Sequence, residues 1–509
     1  MGLPSILLIG GVLTYVAWWL IKYQRLRRII DKIAGPQAHF LLGNATQFKY
    51  EADDWHEQGE GVTLLWSEPR MFRVWVTVFP YVVLTGAEEV EPILSSNVHI
   101  NKSRDYDWIR PWLGMGLLTN IGEKWRPRRK LLTPTFHYDI LKDFMSVFNK
   151  QAKILLKKMQ AKAEKSESFD ICAYITLCAL DIICESAMGK DVNAQQDKDS
   201  KYVRAVYTIG EIIHERQKRP WFWPDPLFML FGRGKEHKAC LDVLHGFTEK
   251  VIRERQEALK HEAEKVQEKK RMAFLDLLLK ISAQEGWSML DVRDEVNTFM
   301  FEGHDTTSAS LNWTLHLLGC YPEIQEKVFN EVDAIFGDDN RDVAFEDLKN
   351  LNYLECVIKE SLRLFPSVPM IGRTLDTDAV VAGKLIPSGV QVFVNPVAVH
   401  RDTRHWENPE KFDPDRFLPE KSVGRHPYAY LPFSAGARNC IGQRFALMEE
   451  KTILAWILRH YKIKSLHRRD QIRARPEIIL RPDRGVMVAL EMRRRPHFDG
   501  INSAPMSPI

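Results

Sequence analysis

The sequence predicts a mainly helical chain with a small β component behind an N-terminal membrane helix. Three observations predict it. From Ser288 to about Gly319 there is no proline and helix formers dominate, so one helix of about 32 residues, roughly 48 Å long, is expected. That is too long for a peripheral element and suggests a helix crossing a large domain. Residues 140–215 keep a helical period, whereas β-rich runs are few and short, Val62–Trp66 and Phe72–Leu84. Residues 1–21 carry no charged side chain.

Taken in order, the run Leu3–Ile21 spans roughly 28 Å as a helix, about one hydrocarbon core. Basic residues follow it, Lys22, Arg25, Arg27, Arg28 and Lys32, and none precedes it. The flanks put the bulk of the chain in the cytosol and favour a retained anchor over a cleaved signal peptide, whose basic residues would come first. Gly35-Pro36 breaks the chain before Leu42-Gly43-Asn44, where the globular part is expected to begin. The expected division is an anchor at 1–21, a basic Gly/Pro linker at 22–43, a large folded domain at 44–492 and a disordered tail at 493–509.

Trp125 and Arg129 share a helical face, and Pro127 between them requires that the helix has just begun. Cys172, Cys178 and Cys184 recur every six residues in apolar sequence, a spacing that suits core positions and no metal geometry. The aromatic stretch Pro220–Phe231 is too apolar for open water and reads as a packed loop or as a lip that dips into a membrane. Residues 249–271, dense in charge, read as an exposed helix and linker. In the long helix, Ser288 and Asp291 form a capping box and Pro322 follows the end. Gly303, inside it, costs about 1 kcal/mol relative to alanine, which the approach of a flat ligand would justify. Glu360 and Arg363 sit at i and i+3 among apolar residues, which argues for a buried pair. Gln443–His460 reads as a helix whose N-terminus points at Cys440 and favours an anion there.

The 509 residues are 45% hydrophobic and 27% charged, enough for a large core. A net charge of +4 is too weak to argue for nucleic acid. Seven cysteines without a Cys-x-x-Cys pair suggest neither a disulfide framework nor structural zinc.

The chemistry concentrates in Phe433-Ser434-Ala435-Gly436-Ala437-Arg438-Asn439-Cys440-Ile441-Gly442. Cys440 alone is as easily an inert buried thiol. Glycines at −4 and +2 let the backbone turn tightly beside a flat macrocycle, and Arg438 offers a cationic fork to a carboxylate. This loop resembles the haem-binding signature Phe-x-x-Gly-x-Arg-x-Cys-x-Gly of the cytochrome P450 superfamily, every specified position being matched. Further superfamily motifs follow the same order: Trp125-x-x-x-Arg129, Asp305-Thr306, Glu360-x-x-Arg363 and Pro414-Asp415-Arg416-Phe417. Residues 295–307, with Glu302, resemble the signature of cytochrome P450 family 4, although Asn297 stands where aspartate is usual.

The resemblance implies the cytochrome P450 fold: mainly α with small β-sheets, a single large domain plus an N-terminal transmembrane helix. It implies haem b with Cys440 as the axial iron ligand, in a loop shaped by Phe433 and Gly436. Trp125, Arg129, Arg373 and Arg438 are its implied contacts with haem propionates. Asp305 and Thr306 are implied to deliver protons, and Glu302 to form an ester with a haem methyl. Glu360, Arg363 and Arg416 are implied to form a buried triad, and Trp112, Met115, Val368 and Met370 to line the substrate pocket. Lys124, Arg126, Arg128 and Lys130 are left to face an acidic redox partner.

The implied activity is NADPH- and dioxygen-dependent hydroxylation of a lipophilic substrate, with the terminal carbon of medium- or long-chain fatty acids foremost. Hormones, hydrocarbons and foreign compounds are the alternative substrates. A hydroperoxide isomerase or lyase, or a haem sensor without turnover, are the alternative classes. Implied partners are NADPH-cytochrome P450 reductase, cytochrome b5 and the bilayer of the endoplasmic reticulum, with the catalytic domain on the cytosolic side.

Overall fold

The computed structural model of the chain describes residues 3–66, 68–197, 200–263 and 273–493. The expected tail lies outside the described residues from position 494, as do positions 264–272 of the charged stretch. The molecule is mainly helical, and its longest internal helix organises it. This central helix, Met289–Cys320, has 32 residues. Ser288 and Asp291 close the capping box at its start: the Asp291 N–H donates to Ser288 Oγ at 3.2 Å and the Ser288 N–H to Asp291 Oδ2 at 3.0 Å. Most of its side chains are buried on every side, as expected of a helix through the middle of a domain.

The helical region expected at 140–215 resolves into Met145–Glu164, Ile171–Ser186 and Lys201–Lys218. The second of these packs on the central helix, and Gly303 lies at the contact. A Cβ at position 303 would come within 2.5 Å of Ile183 Cδ1. Glycine is therefore required here by the closeness of two helices, a demand the sequence did not reveal. Cys178 and Cys184 are buried in the same packing, and all seven cysteines are free.

Four strands make the main sheet, in the order Met71–Val76, Phe79–Leu84, Gln391–Val394, Ile371–Thr374. The outer pairs are antiparallel and the inner pair is parallel. A three-stranded antiparallel sheet joins Phe169–Asp170, Met487–Met492 and Tyr461–Ser465, and a hairpin pairs Ala474–Pro476 with Leu480–Pro482. Phe72–Leu84 is thus strand and turn, but Val62–Trp66 is not a strand. Val62–Leu65 ends a helix, Ala52–Leu65, whose acidic start outweighs the local β-propensity of Val62 and Thr63. Thr63 instead donates back to the Gly59 carbonyl at 2.9 Å, a bond threonine makes inside helices.

The N-terminal helix runs from Leu3 to Ile30, past the boundary expected at residue 21. Its two halves differ. Leu7, Leu8, Leu13 and Tyr15 are exposed, whereas Tyr23 and Ile30 are buried with Trp75 and Val82 of the main sheet. Asp31 fixes the junction by accepting from Trp75 Nε1 at 3.1 Å and pairing Arg73 Nε at 2.8 Å. Among the described residues no helix is long and apolar enough to cross a membrane.

Candidate functional site

The Cys440 loop is held by its own backbone and by its neighbours. The Cys440 N–H donates to the Phe433 carbonyl at 2.9 Å, and a 3-10 turn spans Gly436–Arg438. Gly436 has φ +68°, and a Cβ there would lie 1.8 Å from the Leu94 carbonyl oxygen, so neither space nor backbone admits another residue. Ser434 takes a left-handed φ of 58° just before it. The helix Gln443–His460 begins after Gly442, as expected. The thiol is accessible yet ringed by protein. Burial and then the Glu302 charge push it up to about 11, while the backbone N–H groups of Gly442 and Gln443 and the Arg129 cation oppose them. A thiol so placed gives up its proton when a metal cation binds it, and the N–H groups then favour the anion.

The central helix packs against the helix that begins just after Cys440, and the Glu302 charge acts on the thiol. Along that buried helix, positions 302 and 306, four apart, are partly open and share one face. Glu302 and Thr306 therefore look the same way. Burial pushes the Glu302 carboxyl up to about 7, against the pull of Lys102, Arg129 and Arg438. The Thr306 hydroxyl donates to the Glu302 carbonyl at 2.6 Å, and the Thr306 carbonyl accepts from Ser367 Oγ at 2.9 Å. Asp305, the next residue, faces elsewhere. Its carboxylate accepts from Arg481 Nη2, and Arg481 Nη1 pairs Glu477 at 2.9 Å.

Cations collect at one end of this space. Arg438 is buried, its guanidinium 4.5 Å from the Trp125 ring centre, and donates to the carbonyls of Ile100 at 2.9 Å and Leu117 at 3.1 Å. Arg129 forks onto the Asn439 carbonyl at 2.7 Å and the Asn439 side chain at 2.9 Å. Arg373 is 2% exposed and donates to the Gly372 carbonyl. Burial, followed by Arg373, brings Arg438 down to about 9. Lys102 is held well below the ordinary lysine range by burial and by Arg373 and Arg438. Such a gathering of like charges calls for an anion, and two carboxylates at a macrocycle's edge supply it. A sulfur donor, an acid and a hydroxyl on one helix face, and a cationic edge together fit haem, which makes Lys102 a residue that sequence reasoning missed.

The expected triad assembles. Arg363 forks onto Glu360 at 2.7 and 2.8 Å with both side chains fully buried, and Arg416 lies 3.5 Å from the same carboxylate. His400, another residue missed in the sequence, ties this triad to the cysteine loop. Its Nδ1 meets the Arg363 carbonyl at 3.1 Å, so it carries the proton, and its Nε2 accepts from the Leu431 N–H at 2.7 Å. Burial and Arg363 bring this imidazole down to about 3, so it stays neutral.

Other placements differ from expectation. Arg128 does not face outward: it pairs Asp291 at 2.8 Å and Glu295 at 3.3 Å, while Lys124, Arg126 and Lys130 are exposed. Trp112 is 1% exposed and packs on Phe301 with ring centres 4.4 Å apart, a core position. The Met115 backbone is fixed by Asp294 and Arg128. Val368 and Met370 are half-buried beside Arg373.

The family model of cytochrome P450 matches residues 33–489. The chain is 49% identical over 496 residues to cytochrome P450 4V2 of Homo sapiens, covering 96% of this chain and 94% of that protein. It is 46% identical over 507 residues to cytochrome P450 4c3 of Drosophila melanogaster, with the same coverage. Identity to cytochrome P450 4c21 of Blattella germanica is 40% over 479 residues, 92% of this chain and 94% of the relative. The arrangement around Cys440 and this likeness along nearly the whole length lead to one assignment: the chain belongs to the cytochrome P450 superfamily, in family 4, and is a haem-thiolate monooxygenase.

Proposed function

We propose that this monooxygenase hydroxylates the terminal carbon of medium- or long-chain fatty acids while held at the endoplasmic reticulum membrane, its catalytic body in the cytosol. The observation that carries the reading is Glu302, an acid on the partly open face of the central helix whose charge acts on Cys440. A terminal C–H bond is stronger than its neighbours, so attack there requires a narrow, fixed approach. Haem would be held by Cys440 through its iron and by Glu302 through an ester to a haem methyl, the methyl C–H bond being lost in a two-electron oxidation by haem-activated dioxygen, and that double attachment would supply the fixity.

When bound, haem supplies the reductive activation of dioxygen and the transfer of one oxygen atom to carbon, with electrons from NADPH passed by a flavoprotein reductase, and cytochrome b5 as a second donor. The chain's own residues do the rest. Cys440 Sγ would bind the iron as a thiolate. Arg438, Arg373, Arg129, Trp125 and Lys102 would hold the propionates. Thr306 Oγ1 and the Asp305 carboxylate move protons to the face that Glu302 shares. Val368 and Met370 border the substrate.

The exposed Leu7, Leu8, Leu13 and Tyr15 of the N-terminal helix, with Leu230 and Phe231 at 74% and 75% exposure, favour contact with lipid. Deleting residues 1–21 should shift the enzyme from the membrane fraction to the supernatant; unchanged membrane retention would remove this part of the proposal.

The function is tested with the full-length enzyme, reductase, NADPH and fatty acids of graded length, reading product position by mass spectrometry. The expected products carry the new hydroxyl on the terminal carbon. Absence of any hydroxylated acid would point to another lipophilic substrate.

A further inference from the structure

Arginines gather around the aromatic stretch Pro220–Phe231, and most of them are spent on nearby acceptors. Arg216 donates to the Phe222 carbonyl at 2.9 Å, to the Trp223 carbonyl at 2.9 Å and to Asp225 at 2.6 Å. Arg219 pairs Glu215, Arg233 pairs Glu211 and Glu236, and Arg110 pairs Asp107. Arg104 differs. Its guanidinium carbon lies 3.8 Å from the Phe79 ring centre and 4.8 Å from that of Trp223. Stacking on rings fixes the plane of the fork and leaves its N–H edge free to bond. Among the described residues nothing takes that edge; the bonded donor of Arg104 is its backbone N–H, to Gln391 Oε1 at 3.0 Å. The acid whose charge meets Arg104 is its neighbour Asp105, which accepts from the Tyr81 hydroxyl at 3.4 Å and lies beyond ion-pair distance of the fork. The fork stands where three elements meet: the Met71–Leu84 hairpin at Phe79, the 3-10 turn Arg104–Trp108, and the aromatic stretch at Trp223, whose ring centre is 5.9 Å from Phe79 and 6.1 Å from Trp108. Phe79 is 39% exposed, so this junction reaches the surface. The same short segment also touches the cationic edge of the site, because the charges of Arg373 and Arg438 act on both Lys102 and Tyr106. Residues 102–106 thus run between that edge and the outer aromatic junction.

We propose that Arg104 binds the substrate carboxylate at this junction, a reading that rests on the substrate being a fatty acid. A fatty acid carries one charge, at the end opposite the carbon to be attacked. Holding that charge at the outer junction leaves the apolar chain to run inward, with the terminal carbon reaching farthest. A planar fork matches a carboxylate with two parallel hydrogen bonds, and the flanking rings keep water from them. The other cations are less suited. Arg438 and Arg373 are buried and donate to backbone carbonyls at the edge that fits the propionates. Arg216 has its donors filled. Asp105 is the opposing charge: it weakens the hold of Arg104 on an acid without occupying the fork.

The test uses full-length haem-loaded enzyme with reductase and NADPH. It compares dodecanoic acid with methyl dodecanoate and 1-dodecanol, which keep the chain and lack the charge. KM and kcat are read for each substrate in wild type, Arg104→Gln, Arg104→Lys and Asp105→Asn. Arg104→Gln should raise KM for the acid about tenfold, the share of one hydrogen bond between charged groups. Its kcat for the acid should hold, as expected when binding common to ground and transition states is lost. Both constants should stay at wild-type values for the ester and the alcohol. Arg104→Lys, which keeps the charge and loses the fork, should fall between. Asp105→Asn should lower KM for the acid alone. An arginine that only pins the aromatic stretch in place would move the ester and the alcohol as much as the acid. That outcome would overturn the anchor, as would a wild-type KM for the acid in Arg104→Gln. Should Arg104→Gln give no haem-containing protein, Asp105→Asn carries the test, and an unchanged KM for the acid there would overturn the anchor. If wild type turns over no acid at all, the fatty acid reading fails, and the anchor with it; acid turnover that ignores Arg104 and Asp105 sinks the anchor alone.

Discussion

Thr306 and Glu302 stand one turn apart on the same face of the central helix, joined by a 2.6 Å bond from the threonine hydroxyl to the glutamate carbonyl. The bond is ordinary for threonine in a helix, but its placement is not. These two positions and Gly303 are partly open within a helix that is otherwise largely buried. An acid and a hydroxyl are thereby presented together to the space beside Cys440.

The triad should prove structural. Arg363→Ala leaves Glu360 buried with the longer contact to Arg416 and the Asp413 N–H as its partners, and removes the bond from Arg363 Nη1 to the His400 carbonyl. Breaking a buried pair costs about 3–5 kcal/mol. Loss of soluble, haem-containing protein is expected, read by the reduced carbon monoxide spectrum of the lysate. A haem-replete, stably folded variant would show that the pair does not hold the loop.

Gly303→Ala tests the helix contact. Alanine gains about 1 kcal/mol in helix propensity, but overpacking against Ile183 should cost about 1–3 kcal/mol. A lowered Tm is expected, with Ile183→Ala restoring part of it in the double variant, since the clashing atoms are Ile183 Cδ1 and Cγ1. Equal stability of Gly303→Ala and wild type would place the demand for glycine elsewhere.

Glu450 should make stability fall with rising pH. Burial pushes its carboxyl up to about 8, opposed by the Ser310 hydroxyl beside it. Between the unfolded value near 4.5 and the folded value near 8, the folded state holds a proton that the unfolded state lacks. Its contribution is complete below that window and is lost through it at up to about 1.4 kcal/mol per pH unit. Glu450→Gln should therefore show a smaller drop in Tm from pH 6 to pH 8 than wild type, about two units within that window. An unchanged drop would assign the dependence to other groups.

What the sequence made legible follows from how local each signal is. The central helix could be read to its cap because Ser288, Asp291 and Pro322 are local signals and nothing interrupts the run between them. The cysteine loop and the pairing of Glu360 with Arg363 were readable because fixed spacings carry them. Val62–Trp66 misled because two β-branched residues weighed more than the acidic helix start before them. The purpose of Gly303 was hidden because Ile183 is distant in sequence. His400, Lys102 and Arg481 gave no signal of their own, since each acts through partners brought together only by the fold. Arg128 looked like one more surface cation because nothing in its neighbourhood shows that Asp291 and Glu295 will cover it.

The most direct test of the central claim is the extraction of haem from denatured protein with acidified organic solvent. If Glu302 holds haem by an ester, colour should stay with the wild-type polypeptide, and Glu302→Ala should release it fully while keeping the thiolate-type carbon monoxide spectrum before denaturation. Free haem from the wild type, in the same yield as from Glu302→Ala, would contradict the account.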